Sequence, residues 1–284
     1  VSSAYEKYLA YINPSNMYSA TIEGALKKGT DAYQNGVKFN NSSVLNSGFA
    51  DLVDSLMAVK EFVYEKKAVS LKTLKSALDS NWAGYEELRT EIHKSKHKYG
   101  NNDPETDIYA EALSSYYTTK INNRPNARGG VYKASIHSAM EFVWEGEKTP
   151  AGPNGRYSGE ELSKNASPCV GMDKNGVTAL LNSVLAAKPY SYCESYCIDV
   201  MLHPSAVSGD EGMEIMKSLL FTYMKHGGMC MQFNIFDVNT LKDAQKHPEK
   251  YQNLQVRVCG WNVLWNNLSE KEQNAYITRA ENIK

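Results

Sequence analysis

The sequence predicts an α/β protein whose sheet contains parallel strands, and three observations support that class. Strand-like and helix-like runs alternate through the second half of the chain, as they do when helices connect parallel strands. The 284 residues are enough for one large α/β domain or two modest ones. Hydrophobic residues make up 42% and charged residues 22%, an ordinary balance for a globular chain with a sizeable core.

The elements follow in order. Residues 15–34 read as helix with a break near Gly29, and the polar, glycine-bounded run 36–48 reads as loop. Leu52, Val53, Leu56, Val59, Phe62 and Val63 recur at helical spacing, which predicts a buried amphipathic helix over 49–66. Ser70 caps a second helix carrying Leu71, Leu74, Ala77 and Leu78. A third helix is predicted over 105–119, a loop over 122–130 and a further helix over 133–144. The stretch 146–168 is rich in Gly, Pro, Asn and Ser and is the best candidate boundary, dividing the chain near residue 150. Beyond it come helix 175–187, strand 196–203, helix 211–226, strand 229–237, helix 239–246, strand 255–258 and helix 269–282. Ser269 and Glu272 open the last helix with a capping-box pattern.

Bulk chemistry excludes several function classes. With 31 basic and 32 acidic residues the net charge is −1, which points away from nucleic acid and from anionic membrane surfaces as partners. No apolar run approaches the roughly 18 residues a membrane span needs, and no signal-peptide pattern opens the chain. Five cysteines, an odd number without framework spacing, fit a reducing cytoplasm. The first residue is Val1, so the chain is expected to be part of a longer polypeptide or a separate subunit.

The sharper motifs also have plainer readings. Cys193 and Cys197 lack the third cysteine of a radical-SAM cluster, since position 200 is Val200, and no fourth ligand with zinc-site spacing is near. Two cysteines on one side of a buried strand is the plainer reading. No nucleophile elbow accompanies His137, His203, His226 or His247. "GPNGRYSG" (152–159) ends without the lysine and hydroxyl of a phosphate-binding loop. Trp261 and Trp265, four apart on a strand, are expected to share a face and pack on the core. None of these readings explains the bare Gly260 between Cys259 and Trp261, because glycine weakens a strand.

A resemblance does explain it. Arg257-Val258-Cys259-Gly260-Trp261, then Trp265, Asn267-Leu268 and the helix from Gln273 to Arg279, resemble the C-terminal signature of the glycyl radical enzyme superfamily. The blocks at 227–254 ("GGMCMQFN…DAQKHPEKY"), 154–179 ("NGRYSGEELS…SPCVGMD") and 36–56 resemble further ordered blocks of that family. Trp261, Cys259 and Val37 depart from the commoner Tyr, Ser or Ala, and Gly.

The resemblance implies the C-terminal half of a ten-stranded α/β barrel, with a barrel part over 1–150 and a glycyl radical domain over 151–284. It implies that Gly260 stores a radical within an environment of Arg257, Val258, Cys259, Trp261 and Trp265, with Trp261 and Trp265 shielding it from solvent. No bound cofactor or metal is implied. The radical would be installed by a partner, an activating enzyme using S-adenosylmethionine and an iron–sulfur cluster. The family's thiyl cysteine and its neighbouring glutamate match none of Cys169, Cys193, Cys197, Cys230 and Cys259 in setting, so they are expected upstream in the same polypeptide or in a partner subunit. The implied activity is radical elimination from a small polar metabolite by a cytoplasmic homodimer. A dehydratase of the hydroxyproline kind is favoured. An arylacetate decarboxylase, a pyruvate formate-lyase-type acyltransferase and a non-catalytic radical carrier are the alternatives. His137, Tyr132 and Glu23 are polar candidates for a barrel interior and equally for structural roles.

Overall fold

The polar run 36–48 is not all loop. Within it Ser42–Leu45 forms strand β1, paired in parallel with Tyr132–Ile136 in the register Ser42↔Tyr132 to Leu45↔Ser135. The second strand, here β2, replaces the first part of the helix expected over 133–144, and a helix begins only at Glu141. Local polarity concealed both strands, because their pairing is fixed by distant side chains. Asn126 Nδ2 donates to the Asn40 carbonyl (2.7 Å) and to Ser42 Oγ (2.8 Å), and Arg128 Nη2 donates to the Asn41 carbonyl (2.6 Å). Gly130 allows the close approach: a Cβ there would lie 2.0 Å from the Asn40 oxygen.

The computed structural model describes residues 2–258 and 260–281. The helices in chain order are α1 Ser2–Ile12, α2 Asn16–Ala20, α3 Glu23–Lys28, α4 Phe49–Ala58, α5 Leu71–Asp79, α6 Glu86–Lys94, α7 Pro104–Ile121, α8 Glu141–Lys148, α9 Gly176–Ala186, α10 Gly209–Lys225, α11 Val238–Lys246 and α12 Glu270–Glu281. Gly29 ends α3 in the left-handed conformation, the break expected in 15–34. A π-helical turn, Val59–Glu65, prolongs α4 to the length read from its apolar period. Helices α1 and α6 were not anticipated. No helix among the described residues is long and apolar enough to cross a membrane.

The chain forms two compact units. One comprises Val1–Leu45, Tyr116–Ser135 and Tyr192–Glu194, and contains the β1–β2 pairing. The other comprises Asn46–Ser115, Ile136–Ser191 and Ser195–Lys284. In the second unit Ser195–Leu202 (β3) pairs in parallel with Cys230–Ile235 (β4), in register from Cys197↔Cys230 to Leu202↔Ile235, with α10 as the crossover. The fold class is therefore α/β with parallel strands, as the alternation of elements predicts. Cys197 is buried on β3, whereas Cys193 precedes the strand and is exposed, so the two cysteines do not share a strand face.

The core that positions the last part of the chain gathers Phe142 and Val143 of α8, Leu241 and Ala244 of α11, Val256, Val258, Trp265, and Ala275, Tyr276 and Ile277 of α12. Over this core lies an antiparallel hairpin of Gln255–Arg257 (β5) and Asn262–Leu264 (β6), pairing Arg257 with Asn262 and Gln255 with Leu264. Burying Val256 and Val258 contributes about 1.5–3 kcal/mol each by area removed from water. Strand β6 was absent from the sequence-based expectation.

Candidate functional site

Strand alternation places Val256 and Val258 downward on the core while Arg257 points out to solvent. The chain then reverses direction, and the Val258 amide donates to the Trp261 carbonyl at 2.9 Å. Gly260 lies within this tight reversal with φ +98°, in the region where a Cβ is strained. Its surroundings are open, since a Cβ built there would meet nothing within 4 Å. In this structure backbone conformation, and not crowding by neighbours, favours glycine at this position.

Two amide side chains of β4 hold the hairpin from the side. Gln232 Oε1 accepts the Gly260 N–H at 3.2 Å, and Asn234 Oδ1 accepts the Arg257 N–H at 3.2 Å. Both residues are buried, 5% and 2% exposed, and two apart on a strand they face the same way. From the C-terminal side, Tyr276 Oη donates to the Arg257 carbonyl at 3.0 Å. Burial pushes the Tyr276 hydroxyl up, which keeps it protonated as a donor. Gln273 Nε2 donates to the Trp265 carbonyl at 2.9 Å, and the Ser269–Glu272 capping box secures the start of α12.

Beside Gln232 in the strand register is Asp199, which forms a buried ion pair with Lys164 at 2.7 Å. Burial alone would lower the Lys164 ammonium, but the Asp199 carboxylate outweighs it and the pKa is raised. Asn165, in the left-handed conformation at φ +53°, donates to the other Asp199 oxygen and accepts the Ser138 N–H at 2.8 Å.

The structure separates the residues singled out from sequence. Arg257 is exposed and bonds Asn262 across the hairpin at 3.1 Å, and Val258 is buried. Cys259 lies outside the described residues. Trp265 is fully buried, edge-on to Tyr276 at 6.3 Å between ring centroids, but Trp261 is 49% exposed. The expectation that the two tryptophans share a strand face is corrected. Trp261 belongs to the reversal and Trp265 to the 3₁₀ turn after β6, so strand alternation does not relate them. Gly260 is itself exposed in this chain, and Trp265 packs in the core below the hairpin. Gln232, Asn234 and Tyr276 were missed as site residues. Polar amides recurring at period two in the otherwise apolar "MCMQFNIF" were the available signal.

The second unit also holds a cavity of about 530 Å³ lined by Asp51, Asp54, His93, Asn154 and Cys169, among others. Asp54 Oδ1 accepts the Tyr99 N–H at 2.8 Å. Burial raises its pKa to about 6 against the opposing pull of Lys98. Burial also pushes the Cys169 thiol up, reinforced by Asp51 and Asp54.

Comparison with known proteins adds independent findings. Residues 2–146 match the family model described as pyruvate formate lyase-like, and residues 162–266 match the one described as glycine radical. The chain is 32% identical over 280 residues to trans-4-hydroxy-L-proline dehydratase of Clostridioides difficile, covering 99% of this chain and 35% of that protein. It superposes with a TM-score of 0.91 on a structure described for 1,2-propanediol dehydration in Roseburia inulinivorans, at 33% identity, covering 98% of this chain and 36% of that one. The glycerol-bound B12-independent glycerol dehydratase of Clostridium butyricum gives a TM-score of 0.91 at 32% identity, covering 98% and 35%. The chain thus spans about a third of the length of the relatives it matches.

Proposed function

Because this chain belongs to the glycyl radical enzyme superfamily, we propose that it is the radical-bearing portion of a lyase, with Gly260 as the residue that stores the unpaired electron. The observation that carries this reading is the state of Gly260: a positive-φ glycine at a hairpin reversal, within the matched glycine radical segment, its N–H held by a buried amide. A radical centre at Cα is flanked by an amide nitrogen that donates electron density and a carbonyl that withdraws it. Both stabilise the unpaired electron as the centre flattens, and no side chain opposes planarity. Arg257, Val258, Cys259, Trp261 and Trp265 are its neighbours in the sequence, in a radical domain over 151–284 that follows a barrel part over 1–150.

In this reading an activating enzyme, using S-adenosylmethionine and an iron–sulfur cluster, removes one hydrogen atom from Gly260. The glycyl radical takes a hydrogen atom from a cysteine thiol, leaving a thiyl that abstracts hydrogen from substrate. That cysteine and an acid–base glutamate belong to another part of the same polypeptide or to a partner subunit. The exposure of Gly260 and Trp261 supports such a cover, since a carbon radical facing solvent would not persist. The working assembly is a cytoplasmic homodimer.

Relatives that include dehydratases of hydroxyproline and glycerol support elimination of water from a small hydroxylated metabolite. The test is to activate the complete polypeptide without oxygen and supply trans-4-hydroxy-L-proline, 1,2-propanediol, glycerol and an arylacetate. Loss of water from one of the first three is the expected result. Carbon dioxide release from the arylacetate alone would replace dehydratase by decarboxylase, and turnover of none with a full radical signal would leave a radical carrier.

A further inference from the structure

Gln232 contacts Gly260 through an atom on which the stability of a glycyl radical depends. Its Oε1 accepts the Gly260 N–H at 3.2 Å, from a side chain only 5% exposed on β4. A hydrogen bond accepted from an amide N–H raises electron density on that nitrogen. The same nitrogen is the electron-donating neighbour of the Gly260 Cα. The bond also fixes the peptide plane preceding Cα, which has to align with the half-filled orbital for donation to occur.

We propose that Gln232 is a positioning residue for Gly260, which holds the glycyl amide in plane and strengthens its donation to the radical carbon. The radical part of this assignment rests on the reading of Gly260 given above. Asn234 serves as an internal contrast. It lies on the same face of the same strand and makes the same kind of bond, at 3.2 Å, but to Arg257, whose nitrogen is not bonded to the radical carbon. Loss of Asn234 therefore loosens the hairpin, whereas loss of Gln232 alters the radical itself. Gln232 sits beside Asp199 in the strand register, next to the buried Lys164 pair.

The test has two readouts on the complete polypeptide and its Gln232→Leu, Gln232→Glu and Asn234→Ala variants. The first is amide hydrogen exchange before activation. The Gly260 N–H is protected in the unsubstituted protein and exchanges about tenfold faster in Q232L. It stays protected in Q232E, which keeps an acceptor oxygen, and quickens less in N234A than in Q232L. Exchange of Gly260 at the unprotected rate in the unsubstituted protein overturns the tether, whether or not any variant folds. The second readout is the nitrogen hyperfine coupling of the radical after activation of protein labelled with ¹⁵N-glycine. The coupling falls in Q232L and is unchanged in N234A. Equal coupling in Q232L and the unsubstituted protein overturns the electronic role. Absence of any radical in the activated unsubstituted protein overturns the glycyl radical reading instead, while exchange still decides the tether.

Discussion

Lys164 Nζ lies 2.7 Å from Asp199 Oδ1 with both side chains buried, 1% and 5% exposed, and Asp199 is paired with Gln232 of the strand that holds the glycine hairpin. Removing one partner of such a pair leaves an uncompensated charge in the interior, which typically costs 3–5 kcal/mol, roughly, even where the intact pair adds little net stability. Lys164→Met should lower unfolding free energy by about that amount at neutral pH, measured by urea denaturation. The raised pKa sets the pH window. The pair's contribution is complete below the unfolded lysine value of about 10.4 and is lost as pH rises through the higher folded value. The difference between K164M and the unsubstituted protein should therefore persist from pH 6 to 9 and shrink only in strong alkali.

Asp54 gives a dependence of opposite character at acid pH. Its folded pKa of about 6 lies above the ordinary 3.8, so between these values the folded state binds more protons than the unfolded one. Stability then falls as pH rises through that window, by up to about 2–3 kcal/mol from this group, and is level above it. Asp54→Asn keeps an oxygen for the Tyr99 N–H but has no charge to desolvate. The variant should gain stability at pH 7 and lose the slope between pH 4 and 6, as read from thermal unfolding across that range.

Tyr276 binds the hairpin from α12 through its hydroxyl on the Arg257 carbonyl, 3.0 Å away. Tyr276→Phe removes the donor and leaves the ring against Trp265, so the loss should be near ~1 kcal/mol. Amide exchange over Gln255–Leu264 should quicken while β3 and β4 remain unchanged. Uniform quickening across both regions would mean that the hydroxyl supports the whole unit.

The sequence was most legible where periodicity is long and locally self-sufficient, as in α4, α9, α10 and the capped α12. It was least legible where the partner is distant. Strand β2 is the short "YKASI", whose pairing depends on β1 some 90 residues away, and the nearby helix formers of α8 masked it. Strand β6 was hidden for another reason. The reversal at 258–261 carries Val, Cys and Trp, which favour strands, and only Gly260 marks the turn. Gly260 itself was identified from its sequence context. The grip of Gln232 and Asn234 arises from contacts between β4 and a hairpin more than 20 residues downstream, and the separation of Trp261 from Trp265 from the turn that follows β6.

Storage of the radical concerns a single carbon atom, and Gly260→Ala addresses it with little collateral change. Nothing crowds the added methyl, so the main penalty is the positive φ, about 1 kcal/mol. The variant should fold, with a melting temperature lowered by only a few degrees. The decisive measurement is electron paramagnetic resonance of the complete polypeptide after anaerobic treatment with its activating enzyme. An organic radical signal is expected in the unsubstituted protein, with a coupling that changes on ¹³C-labelling of glycine, and no signal in G260A. A radical of the same form in folded G260A would contradict it.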